Sequence, residues 1–366
     1  MNTTSLRIAS AFLLSLSLIS CAPIPQGDKK ADNKPLVFPA PPDEARFVYE
    51  RTIYGSADVE LRKSDSELKR MLTGAGENSE GLGKPYAVAV HRGRVMVTDS
   101  ADRFVRVFDV PAGKYYKLGD DEAGPLVKPL GIDVDNAGFV YVADATAKSI
   151  MVYDMKGKFQ RKIGSAKHFD RLSSVTVDPE GKRLYVVDIG GVSSEQHRVR
   201  VFDAVNGDHL FDIGKRGKGT GEFNLPRDVA LGKDGKIYVV DGGNFRVQVF
   251  DASGKYLQAF GSIGKQLGNF ARPKEIASDA AGNVYVVDAA FGNFQVFNGD
   301  GDLLMFVGER SERDGPARYM LPSGVYVDED GRVYMVDQWF RKIDVYRPVT
   351  LSADGGFLGR RPGASK

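Results

Sequence analysis

Six aspartates recur at nearly even intervals: Asp99 in RVMVTD, Asp144 in FVYVAD, Asp188 in RLYVVD, Asp241 in KIYVVD, Asp288 in NVYVVD and Asp337 in RVYMVD. The steps between them are 45, 44, 53, 47 and 49 residues. A carboxylate on such a schedule has three chemical uses. It can move a proton, hold a divalent cation, or accept hydrogen bonds from backbone N–H groups two residues on and so close a turn. Every unit carries the acid, and six catalytic carboxylates exceed what one reaction centre needs. The spacing therefore reads as a structural loop pin repeated six times. Arg246, two residues past Asn244, is placed to pair with Asp241.

The elements that must position these acids are strands. In the fourth unit RDVAL, KIYVV, RVQVF and YLQAF follow one another, each rich in β-branched or aromatic residues and bounded by Gly, Asp or Asn. A turn at Asp234-Gly235 joins the first two, and Gly tolerates the positive φ that hairpin turns demand. Similar turns stand at Asn136-Ala137-Gly138, Pro179-Glu180-Gly181 and Glu329-Asp330-Gly331. The 42 glycines, above the usual share of about 7%, agree with many tight turns. Four antiparallel strands in every unit of this length make a β-propeller blade, so the expected fold is all-β, a six-bladed β-propeller. The sixth unit lacks a clear fourth strand after Tyr346, whereas RFVYERTIYG at 46–55 looks like one. The N-terminal strand is therefore expected to complete the last blade and close the ring, leaving no open edge. The propeller is expected over 46–348.

The fourth unit, GTGEFNLPRDVALGKDGKIYVVDGGNFRVQVFDASGKYLQAFG at 219–261, resembles an NHL repeat: G-x-F-x-x-P, a hydrophobic strand, D-G, Y-V-x-D, then N-x-R and a strand ending in Phe. The fifth, GNFARPKEIASDAAGNVYVVDAAFGNFQVF at 268–297, is similar; the other units are looser. The resemblance implies a six-bladed propeller. Such proteins mostly bind proteins, peptides or nucleic acid, and a minority are enzymes.

Binding function in a propeller gathers where loops vary on a rigid frame. That is the face where the inner strands begin and the loops between second and third strands lie. The inner strands open on Tyr86-Ala87, Leu130-Gly131, Ser173-Ser174, Arg227-Asp228, Lys274-Glu275 and Ser323-Gly324. Units four and five thus bring charges to the axis. Asn244, Phe291, Asn293 and Trp339 lie in nearby loops, with Lys215, Arg216 and Lys218 close by. The candidate binding face is Tyr86, Arg227, Asp228, Lys274, Glu275, Asn244, Phe291, Asn293 and Trp339. Two readings stand: a contact surface for a peptide or glycan, and a solvated rim of weak ion pairs.

Histidine is scarce: His91, His168, His197 and His209. NHL relatives that act as amidating lyases hold zinc with channel histidines, and no inner strand here opens on His. His168 and His197 are weak metal candidates, lacking a third ligand to complete a zinc set. Lactonase-type propellers hold a divalent metal with Glu, Asn and Asp; Asp228 and Glu275 imitate part of that set. A metal-dependent lyase or lactonase at the channel mouth is the enzymatic alternative. No C-x-x-C-H, P-loop or G-x-S-x-G motif is present. No cofactor and no catalytic residue is assigned.

Basic and acidic residues nearly cancel, 50 against 48, so net charge implies no strongly charged partner. Arg7 followed by the apolar IASAFLLSLSLIS, 8–20, reads as a signal peptide over 1–20, too short to span a bilayer. The run ends Leu18-Ile19-Ser20-Cys21, and Cys21 is the one cysteine. This resembles a bacterial lipobox, which implies lipidation of Cys21 with acyl chains such as palmitate. More than one chain is needed for stable anchoring. Ala22 after the Cys implies outer-membrane sorting in diderm bacteria. Residues 21–45 carry the anchor and a Pro- and Lys-containing linker. Between 55 and 85 lies an insertion with a helix expected at 64–74, capped by Ser64 and Glu67. The tail 349–366 is expected to lack structure. The combined expectation is a lipid-anchored, monomeric propeller in the periplasm or outside it. It would bind an envelope protein or extended peptide, with polysaccharide second. Export and near-neutral charge argue against nucleic acid.

Overall fold

Alternation of β-branched and aromatic residues with turn glycines produces six antiparallel sheets. A computed structural model of the chain describes residues 35–60, 79–191 and 193–359. The apolar leader, Cys21 and the 64–74 segment lie outside the described residues. Five sheets have four strands in sequence order, and the sixth has five. Blade four consists of Pro226–Leu231, Ile237–Asp241, Arg246–Phe250 and Tyr256–Phe260. Its second and third strands pair from Ile237↔Phe250 to Asp241↔Arg246, so the acid sits at the last rung before the loop. The fold is a six-bladed β-propeller with four antiparallel strands per blade.

The last blade joins the two ends of the chain. Phe47–Ile53 pairs antiparallel with Lys342–Pro348, and Val333–Asp337 and Pro322–Val327 complete the sheet inward. Side chains lock the junction. Arg332 is fully buried, its Nε 2.8 Å from Glu50 Oε2 and its Nη2 donating to the Gly355 carbonyl at 2.8 Å. Thr52 Oγ1 donates to Asp344 Oδ1 at 2.5 Å. Val37–Phe38, in the stretch expected to be linker, adds a fifth strand outside Phe47–Ile53. The tail also departs from expectation. Residues 351–359 fold back, the short helix Gly356–Gly359 buries Leu358, and Gly355 supplies the carbonyl that Arg332 needs. A buried guanidinium must have its donors met, which explains why this part of the tail is ordered.

The core lies between blades rather than within them. Val240, Val247, Phe260 and Phe270 pack against Val286 and Phe297 across the junction of blades four and five. Each fully buried Val or Phe contributes about 1.5–3 kcal/mol. The G-x-F element has a packing role here. A Cβ on Gly261, where φ is +81°, would lie 2.3 Å from Phe270 Cε2, and Gly214 (φ +78°) meets Phe223 in the same way. A left-handed glycine at the end of the outer strand thus seats the aromatic ring that seals the next blade.

Candidate functional site

The six recurring aspartates are fully buried, and their oxygens are engaged by the loops around them. Asp99 accepts from the backbone N–H groups of Gly83 at 2.7 Å, Lys84 at 2.9 Å, and Ala101 and Asp102 at 3.2 Å each. Asp241 accepts from Asn224 N at 2.7 Å, Asn244 Nδ2 at 2.8 Å, Arg246 Nε at 2.9 Å and Gln248 Nε2 at 3.1 Å. Each acid therefore ties the loop after the second strand to the entrance of the inner strand. The same pattern holds Arg171 N on Asp188 and Arg272 N on Asp288.

Below that level a cavity of about 250 Å³ runs along the axis, lined by Val88, Asp133, Ser174, Asp228, Glu275 and Tyr326 among others. Inner strands of neighbouring blades form no ladder with each other, and polar side chains bridge them instead. Thr98 Oγ1 of blade one donates to Leu130 O of blade two at 2.6 Å. Asp133 of blade two accepts from Thr176 Oγ1 at 2.5 Å and Val177 N at 2.9 Å in blade three. Asp228 of blade four accepts from Ser174 Oγ of blade three and, at 2.8 Å, from Ile276 N of blade five. Glu275 of blade five faces the Val325 N–H of blade six. Ser323 Oγ closes the circle by donating to Tyr86 O at 2.7 Å. These bonds form a continuous polar collar around the channel. Burial pushes Asp133 and Asp228 up to about 6, against the opposing pull of their hydrogen bonds. Burial raises Glu275 further, and the charge of Asp228 adds to it.

The collar divides the expected binding face. Asp228 and Glu275 are not on it: both are buried in the channel wall. The reason is a bulge. Each inner strand shifts register just after its first residue, for example between Pro226 and Val229, and the shift turns the second charged residue inward. Asn293 is also buried, paired opposite Asp288. Asn244 is held in its loop by Asp241 and by the Gly217 carbonyl at 2.9 Å. Phe291 is half-buried. What remains at the surface is Arg227, with Trp339 at 63% exposure and Lys274 and Tyr86 partly exposed. Arg227 lies along the loop after the second strand; a Cβ on Gly242 would come within 2.7 Å of its Cγ.

Sequence reasoning missed two cations beside them. Arg171 and Arg272 are exposed and stand just before the inner strands of blades three and five. Their Coulombic influence reaches Arg227, which is lowered by burial first and by these two arginines after it. A signal was present, because Lys84, Lys128, Arg171 and Arg272 all occupy the position immediately before an inner strand.

The histidines do not form a ligand set. His197 is buried, its Nδ1 accepting from Leu225 N at 3.1 Å while Nε2–H donates to Gly191 O at 3.2 Å. Both nitrogens are spent on a neutral ring. His168 Nδ1 pairs with Ser165 Oγ at 3.2 Å. Among the described residues no group of three His, Cys, Asp or Glu side chains is set to hold a metal. No helix among them is long and apolar enough to cross a membrane.

Comparison with known proteins agrees with this architecture. Residues 223–250 match the NHL repeat family. NHL repeat-containing protein 3 of Mus musculus is 27% identical over 218 residues, covering 54% of this chain and 61% of that protein. The Homo sapiens protein of the same name is 33% identical over 93 residues, 25% of each chain. This chain thus spans less than two thirds of the curated relatives it matches. Among solved structures, a Bacteroides thetaiotaomicron protein of unknown function superposes with a TM-score of 0.61 at 18% identity, covering 81% of this chain and 75% of that one. A gluconolactonase from Xanthomonas campestris gives 0.56 at 13% identity, covering 73% and 86%. Virginiamycin B lyase from Staphylococcus aureus gives 0.51 at 14%, covering 74% and 86%. At these identities the likeness to solved structures shows the fold alone. The chain carries an NHL repeat in blade four of a six-bladed propeller.

Proposed function

We propose that this protein is a lipid-anchored, extracytoplasmic propeller that binds an envelope protein or an extended peptide through the loop face around its channel mouth. One observation carries the reading. The charged pairs opening blades four and five are divided, with Asp228 and Glu275 buried in the collar and Arg227 and Lys274 left toward the surface. Together with the exposed Trp339, the mouth is built for contact rather than for proton transfer. Cys21, at the end of the lipobox-like run, is the anchor in this reading, with the outer membrane as the destination. Replacing Cys21 with Ser should move the protein from the membrane to the soluble fraction and abolish palmitate incorporation. Retention in the membrane would contradict the anchor. Cross-linking in whole cells, followed by purification, should recover a stoichiometric partner with wild type and lose it in Trp339→Ser; equal recovery would contradict the face.

A second reading, a metal-dependent lactonase or lyase, has one specific support. Glu275 lines the axial cavity with Asp133 and Asp228, in a fold shared with a gluconolactonase and a lyase. Metal analysis of the purified protein, with lactone hydrolysis assayed in wild type and Glu275→Gln, separates the two readings. A bound divalent ion lost in that variant together with activity would favour the enzyme.

A further inference from the structure

Four cations stand around the channel mouth on three consecutive blades: Arg171 before the inner strand of blade three, Arg227 in blade four, and Arg272 and Lys274 in blade five. None has an ion-pair partner within 4.0 Å among the described residues, whereas partly buried arginines such as Arg94, Arg198 and Arg246 do. They influence one another. Burial, then Arg272, and more weakly Arg227, bring Lys274 down to about 8 against the opposing pull of Glu275 and Asp337. The nearest acids, Asp228 and Glu275, are buried in the collar, Asp228 with its oxygens engaged by Ser174 and Ile276, and neither makes an ion pair with these cations. The fold also holds the cations in place. Ser173 Oγ donates to the Arg227 carbonyl at 3.3 Å and fixes blade three against blade four. Asp188 and Asp288 grip the backbone N–H groups of Arg171 and Arg272. Tyr86 shares the mouth; burial raises its hydroxyl, Glu275 and Asp228 add to this, and Arg227 and Arg171 oppose it.

Like charges kept together without counter-charge oppose each other. Such an arrangement is expected where the counter-charge arrives with a ligand. We infer that the mouth is a recognition site for an acidic peptide segment whose carboxylates pair with these four cations. This rests on the binding reading above and names the chemistry of its partner. The shape of the site favours side-chain carboxylates over a free phosphate. The charges sit one or two per blade along an arc. The backbone N–H groups that could line a phosphate nest at Arg171 and Arg272 are already taken by Asp188 and Asp288. Nucleic acid is a different partner class, and the near balance of charge over the whole chain gives it no general attraction.

The test uses the full chain and a fluorescent peptide of alternating Gly and Glu, with its Gly/Gln counterpart as control. Anisotropy should report binding of the acidic peptide alone, weakening as salt is raised. Arg227→Gln with Lys274→Gln, and Arg171→Gln with Arg272→Gln, should each weaken binding by about ten-fold. Arg227→Lys with Lys274→Arg should hold it within about three-fold. Thermal melts of each variant should match wild type. Equal binding by wild type and the Gln pairs, or by both peptides, overturns the inference. So does binding of inorganic phosphate or single-stranded RNA with the same variant dependence while the acidic peptide does not bind. An envelope partner lost in Trp339→Ser but kept in the Gln pairs would overturn this inference and leave the binding reading standing.

Discussion

Arg227 and Asp228 are neighbours in the chain with opposite placements: the guanidinium is exposed at the mouth, and the carboxylate is buried between Ser174 of the preceding blade and the Ile276 N–H of the next. Removing each should have different consequences. Asp228→Ala leaves three buried donors, Ser174 Oγ and the N–H groups of Val229 and Ile276, without this acceptor, and its expected loss of stability is about 2–4 kcal/mol. Arg227→Ala should stay within about 0.5 kcal/mol of wild type. Urea unfolding of the two variants at neutral pH checks this, and similar losses in both would contradict the division.

The collar should also respond to pH. Asp133 and Asp228 are pushed up to about 6 from an ordinary 3.8. As pH falls, the folded protein therefore takes up these protons before the unfolded chain does. Their stabilising contribution is complete below 3.8 and is lost as pH rises through about 6. It amounts to up to about 3 kcal/mol per carboxyl. The stability of wild type minus that of Asp133→Asn/Asp228→Asn should fall across this window and then level off. A difference that grows with pH would contradict the burial argument.

Closure of the ring rests partly on Arg332 and Glu50, 2.8 Å apart and far separated in sequence. Glu50→Ala leaves the fully buried Arg332 guanidinium with Asp330 and the Gly355 carbonyl but with its Nε unmet, and should lower stability by about 1–3 kcal/mol. Replacing both partners with apolar residues of similar volume, Arg332→Met with Glu50→Leu, should recover most of the loss. Chemical denaturation of the single and double variants measures the coupling.

The glycine that seats each sealing ring gives a further test. Gly261→Ala forces a Cβ toward Phe270 at a positive φ and should cost about 1–3 kcal/mol. Combining it with Phe270→Leu should be less than additive, because the smaller side chain leaves room for the methyl.

The blade count was legible because the pin aspartates act locally: Asp241 bonds groups within its own repeat, and its spacing repeats with the blade. The closing strand was legible because Phe47–Ile53 has the same pattern as the other outer strands. The collar was hidden because its bonds join different blades, from 32 residues apart in Thr98 with Leu130 to 237 apart in Ser323 with Tyr86. The bulge after each opening residue hid it further, since alternation alone cannot say that Asp228 turns inward while Arg227 stays out. Arg171 and Arg272 escaped notice because they precede the strands and break no pattern. The ordered part of the tail depends on a buried arginine whose partners come from both ends of the chain.

The claim that the loop face is the working surface is tested most directly by hydrogen–deuterium exchange on the protein alone and with its cross-link-identified partner. Protection should appear in the loops after the second strands and at the starts of the inner strands of blades three to six, around Arg171, Arg227, Lys274 and Trp339. Protection confined to the turns on the opposite face, around Asn136 and Pro179, or to the outer strands, would contradict it.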